Sequence, residues 1–148
     1  MCVAQATQEF LQAASMSSST EIDAAKLVET RSTDKDVKNF ARRMAVDHTK
    51  LTAQLKMAAP RGVTVPKDNS DTAGLDSPKG LRGKEFDIAY IQQVALASYK
   101  KAVEVFRSEA SGGQNADLKK AAQTALPTSE EHLRMAEALA TKKGVTAP

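Results

Sequence analysis

Four segments of the chain carry apolar residues at steps of three and four positions, the spacing that places side chains on one face of an α-helix. These apolar stripes run over residues 10–28, 37–58, 88–106 and 118–139. The pattern predicts four helices, over about residues 5–30, 34–59, 84–110 and 116–142. It is typical of an all-α protein that buries one face of each helix.

Signals at the ends of the stripes support these boundaries. Ser32 or Thr33 is the predicted N-cap of the second helix, and Asn115 is the predicted N-cap of the fourth. Pro127 interrupts the fourth stripe. A proline removes a backbone donor and clashes with the preceding turn, so a kink or a restart of the helix is expected there.

Residues 60–83 contain three prolines and four glycines, a composition that predicts an irregular connection. Two short connections and this long one are typical of a ferritin-like antiparallel four-helix bundle, in which the long connection crosses the bundle. We therefore expect a single domain of this type over residues 1–148.

Composition and charge argue against nucleic-acid binding, a membrane span and a disulfide within the chain. The formal net charge is +3, but the basic residues stand in scattered pairs among acids, so nucleic-acid binding is not expected. No segment approaches the roughly 18 apolar residues of a membrane span. The only cysteine, Cys2, excludes an intramolecular disulfide. It is expected to be a free thiol rather than the trace of a lipoprotein anchor, and no apolar signal-peptide segment precedes it.

Each predicted helix places one polar or ionisable residue inside its apolar stripe: Glu21, His48, Tyr99 and His132. If these side chains meet in the core, they must pair, hydrogen-bond or bind a metal, because burying them alone is costly. One interpretation is a hydrogen-bond network that fixes the helix register. The other is a mononuclear site for zinc, copper or iron, with Asp47 either orienting an imidazole or lying on the surface.

Several kinds of enzyme site are not expected. A di-iron carboxylate centre uses Glu-x-x-His pairs, but Ala45 and Ser129 stand three residues before His48 and His132. The sequence also lacks a glycine-rich phosphate loop, a nucleophile elbow and a His-Glu-x-x-His motif. We therefore expect a protein without enzymatic activity.

Three sequence elements resemble the bacterial ferritin-like family called domain of unknown function 4142: Asp47-His48-Thr49, Gly83-x-x-Phe86-Asp87-x-x-Tyr90 and Leu126-Pro127 followed by His132. The resemblance extends from about residue 10 to residue 139. It implies a secreted, periplasmic or outer-membrane-associated protein with no agreed reaction. Family members usually carry a histidine where this chain has Tyr99, which implies an altered ligand set if the family histidines bind metal.

These observations lead to one predicted function and two alternatives. The prediction is a non-enzymatic cell-envelope protein with a structural or interaction role. The first alternative is a metal-binding, redox-related protein with Glu21, His48, Tyr99 and His132 around the ion. The second is that a helix face binds a partner or assembles the protein into a homodimer, although amphipathic helices usually bury their stripe within their own domain.

Overall fold

The computed structural model describes residues 3–147, with side chains from Gln5 onward. Every regular element in that range is a helix, so the predicted all-α class is confirmed for the described residues. Cys2 lies outside them, and the expectation for its thiol stays a prediction. No helix between residues 3 and 147 combines the length and the apolar character needed to cross a membrane.

Four long helical segments account for most of the chain. The first, second and last are α1 (Val3–Arg31), α2 (Lys35–Ala58) and α6 (Ala116–Lys143). The third segment joins α4 (Gly83–Tyr90), a π-helix (Ile91–Ser98) and α5 (Tyr99–Gly112). A short helix, α3 (Thr72–Lys79), lies between α2 and α4.

The N-terminus of α2 is capped by Asp34. Its carboxylate accepts hydrogen bonds from the backbone N–H groups of Asp36 at 2.9 Å and Val37 at 3.1 Å. The predicted cap at Ser32 or Thr33 was therefore wrong: a carboxylate satisfies two backbone donors and also interacts favourably with the helix dipole. Ser32 instead accepts a hydrogen bond from the backbone N–H of Asp34.

The predicted irregular connection contains helix α3, so that part of the prediction was wrong. The side chain of Asp71 caps α3 by accepting from the backbone N–H of Gly74 at 3.2 Å. Leu75 and Pro78, three residues apart and thus on one helix face, are both buried. Packing of this face against the core outweighs the weak helix propensity of the segment.

Helix α6 begins and ends as its sequence predicts, but it does not restart at Pro127. Asn115 caps it by accepting from the backbone N–H of Leu118 at 3.0 Å, which confirms the predicted cap. The helix then continues to Lys143. Pro127 and Gln123 are both exposed, so water can satisfy the carbonyl that the missing proline N–H leaves unpaired.

The π-helix changes which residues of the third segment face the core. Tyr90 and Tyr99 are nine positions apart, and at about 100° per residue an α-helix would place them on opposite faces. The i→i+5 hydrogen bonds of a π-helix give a wider turn, so each residue advances less around the axis. Both tyrosines consequently lie in the core, each 1% exposed, whereas Ile88 from the predicted stripe is 36% exposed.

A polar layer separates two hydrophobic clusters in the core. Along α2, Met44 belongs to one cluster and Leu55 to the other, with His48 between them. Along α6, His132 likewise lies between Ala136 and Ala125, which belong to different clusters. The candidate site therefore occupies the middle of the core, where all four long segments meet.

Candidate functional site

The polar layer is built around the hydroxyl of Tyr99. This oxygen makes a hydrogen bond with Nε2 of His48 and lies 3.1 Å from Nδ1 of His132. The sulfur of Met44 is 2.9 Å away. The two imidazole rings are 6.0 Å apart between centroids. The structure thus brings together three of the four predicted site residues, with the phenol between the imidazoles.

Further polar contacts extend this arrangement in both directions. On the inner side, Nδ1 of His48 lies 2.9 Å from the hydroxyl of Ser18 on α1. On the outer side, Nε2 of His132 lies 2.8 Å from Oδ2 of Asp47. We call the series Ser18, His48, Tyr99, His132 and Asp47 the polar chain.

With Asp47 ionised and both imidazoles neutral, one set of directions gives every contact of the polar chain a donor and an acceptor. The Asp47 carboxylate only accepts, so Nε2–H of His132 donates to it, and the bare Nδ1 of a neutral His132 accepts from the Tyr99 hydroxyl. The Tyr99 oxygen then accepts from Nε2–H of His48, and Nδ1 of His48 accepts from Ser18. Each link uses one donor and one acceptor.

Burial keeps both imidazoles neutral near pH 7. Burial, together with the neighbouring His132, lowers the pKa of His48 to about 3, although Asp47 opposes the shift. Burial also lowers the pKa of His132, against the hydrogen bond to Asp47. The contact between His132 and Asp47 is therefore a hydrogen bond to an anion rather than an ion pair.

Asp47 connects the polar chain to the surface. Its partial burial would raise its pKa, but hydrogen bonds from Arg43 and His132 outweigh that effect, and the pKa of Asp47 is lowered. Arg43 donates to Asp47 at 2.9 Å from a half-exposed position. A cleft of about 310 Å³, lined in part by Lys50 and Glu131, opens at this end.

Glu21 lies in the core without a hydrogen bond from the polar chain. It is 1% exposed, and neither carboxyl oxygen has a partner among the described residues. Burial raises its pKa well above the ordinary value, because the charged form would lose its hydration in the core. Glu21 is close enough to both tyrosines to raise the pKa of Tyr90 and Tyr99 further, beyond the effect of burial.

The geometry of the potential metal ligands does not by itself form an ion site. Among the described residues, no three side chains of His, Cys, Asp and Glu are grouped so that they could hold a metal ion. The nearest approach is the pair of imidazoles with the Met44 sulfur, and the Tyr99 hydroxyl fills the point on which they converge. The predicted metal site, with Glu21 as a ligand, stays a prediction.

Sequence reasoning missed two members of this layer, Ser18 and Met44. Both could have been found from helical spacing, because Ser18 is three residues before Glu21 and Met44 is four before His48. Ser18 is buried, whereas its neighbour Ser17 is only partly buried. For Asp47, of the two alternatives left open, the structure shows the contact that orients an imidazole.

Comparison with solved structures gives a match over the whole length of the chain. A Streptomyces coelicolor protein, described as a "putative secreted protein DUF305", aligns with a TM-score of 0.78. The alignment covers 99% of this chain and 98% of that protein, at 16% sequence identity. At this identity the likeness concerns the fold alone.

The remaining comparisons concern sequence. No curated protein matches the chain. A family model described as "Domain of unknown function (DUF4142)" matches residues 2–139. The chain therefore belongs to the DUF4142 family.

Proposed function

We propose that the protein is a non-enzymatic component of the bacterial cell envelope, with a single four-helix domain of ferritin-like type and a structural or interaction role. Connections of three residues join α1 to α2 and α5 to α6, and the long connection lies between α2 and α4, which supports this topology. The description of the S. coelicolor neighbour as secreted supports a location outside the cytoplasm.

The polar chain is the observation that carries the proposed structural role. Its five side chains come from α1, α2, α5 and α6, and they satisfy one another without any ligand. Sliding one helix by a turn, about 5.4 Å, would break its links and leave buried polar groups unpaired. The polar chain therefore favours a single register of the four helical segments, a role known for buried polar networks.

Comparison of Tyr99→Phe with Tyr90→Phe tests this role. Removing the Tyr99 hydroxyl leaves Nε2–H of His48 without an acceptor and Nδ1 of His132 without a donor. We expect the free energy of unfolding to fall by about 1–3 kcal/mol. The Tyr90 hydroxyl is buried without a partner among the described residues, so its removal should cost less than about 0.5 kcal/mol or stabilise the protein.

Urea unfolding of the wild type and the two variants measures the difference. Equal effects of the two substitutions would contradict a structural role of the polar chain. Elemental analysis of the untagged wild-type protein accompanies the experiment, because one equivalent of bound metal would favour the predicted metal site over the structural role.

A further inference from the structure

The two tyrosines of the chain are equally buried but differ in their hydrogen bonds. Each is 1% exposed. The Tyr90 hydroxyl has no partner among the described residues, whereas the Tyr99 hydroxyl contacts nitrogens of His48 and His132. Loss of one electron makes a phenol strongly acidic, so oxidation inside a protein is favourable where a base is positioned to take the proton. Of the two tyrosines, Tyr99 alone is hydrogen-bonded to a base among the described residues.

We propose that Tyr99 is a redox-active residue that reduces one-electron oxidants, such as organic peroxyl radicals, which reach the protein from solvent. In this step Tyr99 gives one electron to the oxidant and its hydroxyl proton to Nδ1 of His132. The phenolic O–H bond breaks and an N–H bond forms. The products are a neutral tyrosyl radical, an imidazolium at His132 and the reduced oxidant, which takes a proton from water when it is a peroxyl radical.

The reverse step restores the resting protein. A one-electron reductant of the thiol or ascorbate class returns an electron to Tyr99, and the proton on His132 returns to the phenolic oxygen. Electron transfer does not require contact between the oxidant and the buried ring, but the proton transfer does require a hydrogen bond. The 3.1 Å contact between Tyr99 and His132 supplies it.

Burial opposes a proton on His132, but the carboxylate of Asp47 favours it. The Nε2–H of His132 faces the carboxylate of Asp47 at 2.8 Å, so the imidazolium would form beside a fixed negative charge. His48 continues to donate to the phenolic oxygen from the other side. The Met44 sulfur is close to this oxygen, but a thioether is too weak a base to accept the proton.

Few other side chains of the protein compete for oxidation. The chain has no tryptophan, two tyrosines and one cysteine. A Cys2→Ser background removes the thiol, and the remaining comparison is between a tyrosine with a proton acceptor and a tyrosine without one.

Photogenerated ruthenium(III) tris-bipyridine provides the one-electron oxidant, and electron paramagnetic resonance identifies the product. In the Cys2→Ser protein we expect a tyrosyl radical whose g-tensor indicates a hydrogen-bonded oxygen, and slower formation in D₂O than in H₂O. A radical without a hydrogen bond would place the electron hole on Tyr90 and would overturn the proposal. These measurements need no substitution in the core.

Three substitutions then test Tyr99 as the electron donor, His132 as the proton acceptor and Tyr90 as the comparison. Tyr99→Phe should lower the radical yield by about tenfold or more, and Tyr90→Phe should leave it within about twofold. His132→Gln keeps an oxygen that can accept from Tyr99 but is not basic, so it should slow radical formation by at least about tenfold. Circular dichroism verifies that the variants fold.

Formation of the radical at the wild-type rate in His132→Gln, or its loss in Tyr90→Phe, would show the proposal to be wrong. The radical experiment and the stability experiment test the redox role and the structural role separately. A polar chain that only stabilises the fold predicts the loss of stability in Tyr99→Phe but no radical on Tyr99 of the Cys2→Ser protein.

Discussion

At the scale of single residues, burial without a hydrogen-bond partner among the described residues favours the neutral form of Glu21. The folded-state pKa is raised by burial, so above the ordinary carboxyl pKa of about 4.5 the unfolded chain releases a proton that the folded protein keeps. The unfolded state then binds fewer protons, and the stability contributed at low pH is lost as the pH rises toward the folded pKa. Glu21 therefore lowers stability at neutral pH.

Glu21→Gln should remove this loss, because an amide resembles the protonated carboxyl group and has no proton to release. The variant should gain stability relative to the wild type by up to about 1.4 kcal/mol for each pH unit above 4.5, until the folded pKa is reached. Urea unfolding between pH 5 and pH 8 measures the difference. Glu85→Gln, at an exposed position, is the control, and parallel curves for Glu21→Gln and the wild type would contradict the assignment.

At the scale of elements, α2 and α6 are joined at one end by charged groups. Lys143 lies 2.8 Å from both Asp34 and Asp36. The two aspartates share this lysine, but only Asp34 also caps α2. Substituting each aspartate in turn therefore compares the contribution of the cap with that of the surface ion pairs.

Asp34→Ala should lower the free energy of unfolding by about 1–2 kcal/mol, since the first backbone donors of α2 lose their acceptor. Asp36→Ala removes the ion pairs with Lys142 and Lys143 but leaves the cap in place, so it should cost less than Asp34→Ala. Salt screens exposed charges but not the cap hydrogen bonds. Unfolding at low and at high NaCl concentration checks both variants, and an equal, salt-sensitive loss in the two would show that the cap contributes little.

The elements also show how far the sequence predicts the fold. Apolar spacing locates the four long helices because burial of one face determines where each forms. The same spacing cannot reveal the π-helix, since an α-helical stripe through Ile91 and Tyr99 already fits an apolar face. The wider turn of the π-helix is needed to bring Tyr90 onto the same face as Tyr99. Packing of this segment against the other helices, which spacing does not show, favours that arrangement. Helix α3 was missed for the same reason, because its stability depends on the burial of Leu75 and Pro78.

The candidate site was predictable only in part. Helical spacing places His48, Tyr99 and His132 toward the core, because each lies in an apolar stripe. The contact between Asp47 and His132 joins α2 to α6, and spacing along one helix carries no information about the rotation and offset of another. The isolation of Glu21 depends on the same offsets. Sequence therefore identifies the polar residues that face inward, whereas helix packing decides which of them touch.

At the scale of the whole molecule, the dependence of stability on pH combines buried histidines, whose pKa is lowered, with the buried carboxyl group of Glu21, whose pKa is raised. The pKa of His48 is about 3 in the folded protein and 6.5 in its ordinary state. Between these values the unfolded chain binds more protons, so the stability contributed by His48 is complete above pH 6.5 and falls as the pH drops toward 3. His132, with a pKa also lowered by burial, adds to this acid-side loss.

Glu21 acts in the opposite direction from about pH 4.5 up to its raised folded pKa. Between about pH 4.5 and 6.5 the contributions of Glu21 and His48 to the pH slope have opposite signs and offset each other, so the stability of the wild type should change less with pH there than below about pH 4.5. His48→Gln, which can still accept from Ser18 and donate to Tyr99, should reduce the acid-side slope by about 1.4 kcal/mol per pH unit between pH 6 and pH 4. Urea unfolding across pH 4–8 tests both statements. An acid-side slope that is unchanged in His48→Gln would mean that the imidazole of His48 is not held neutral in the folded core.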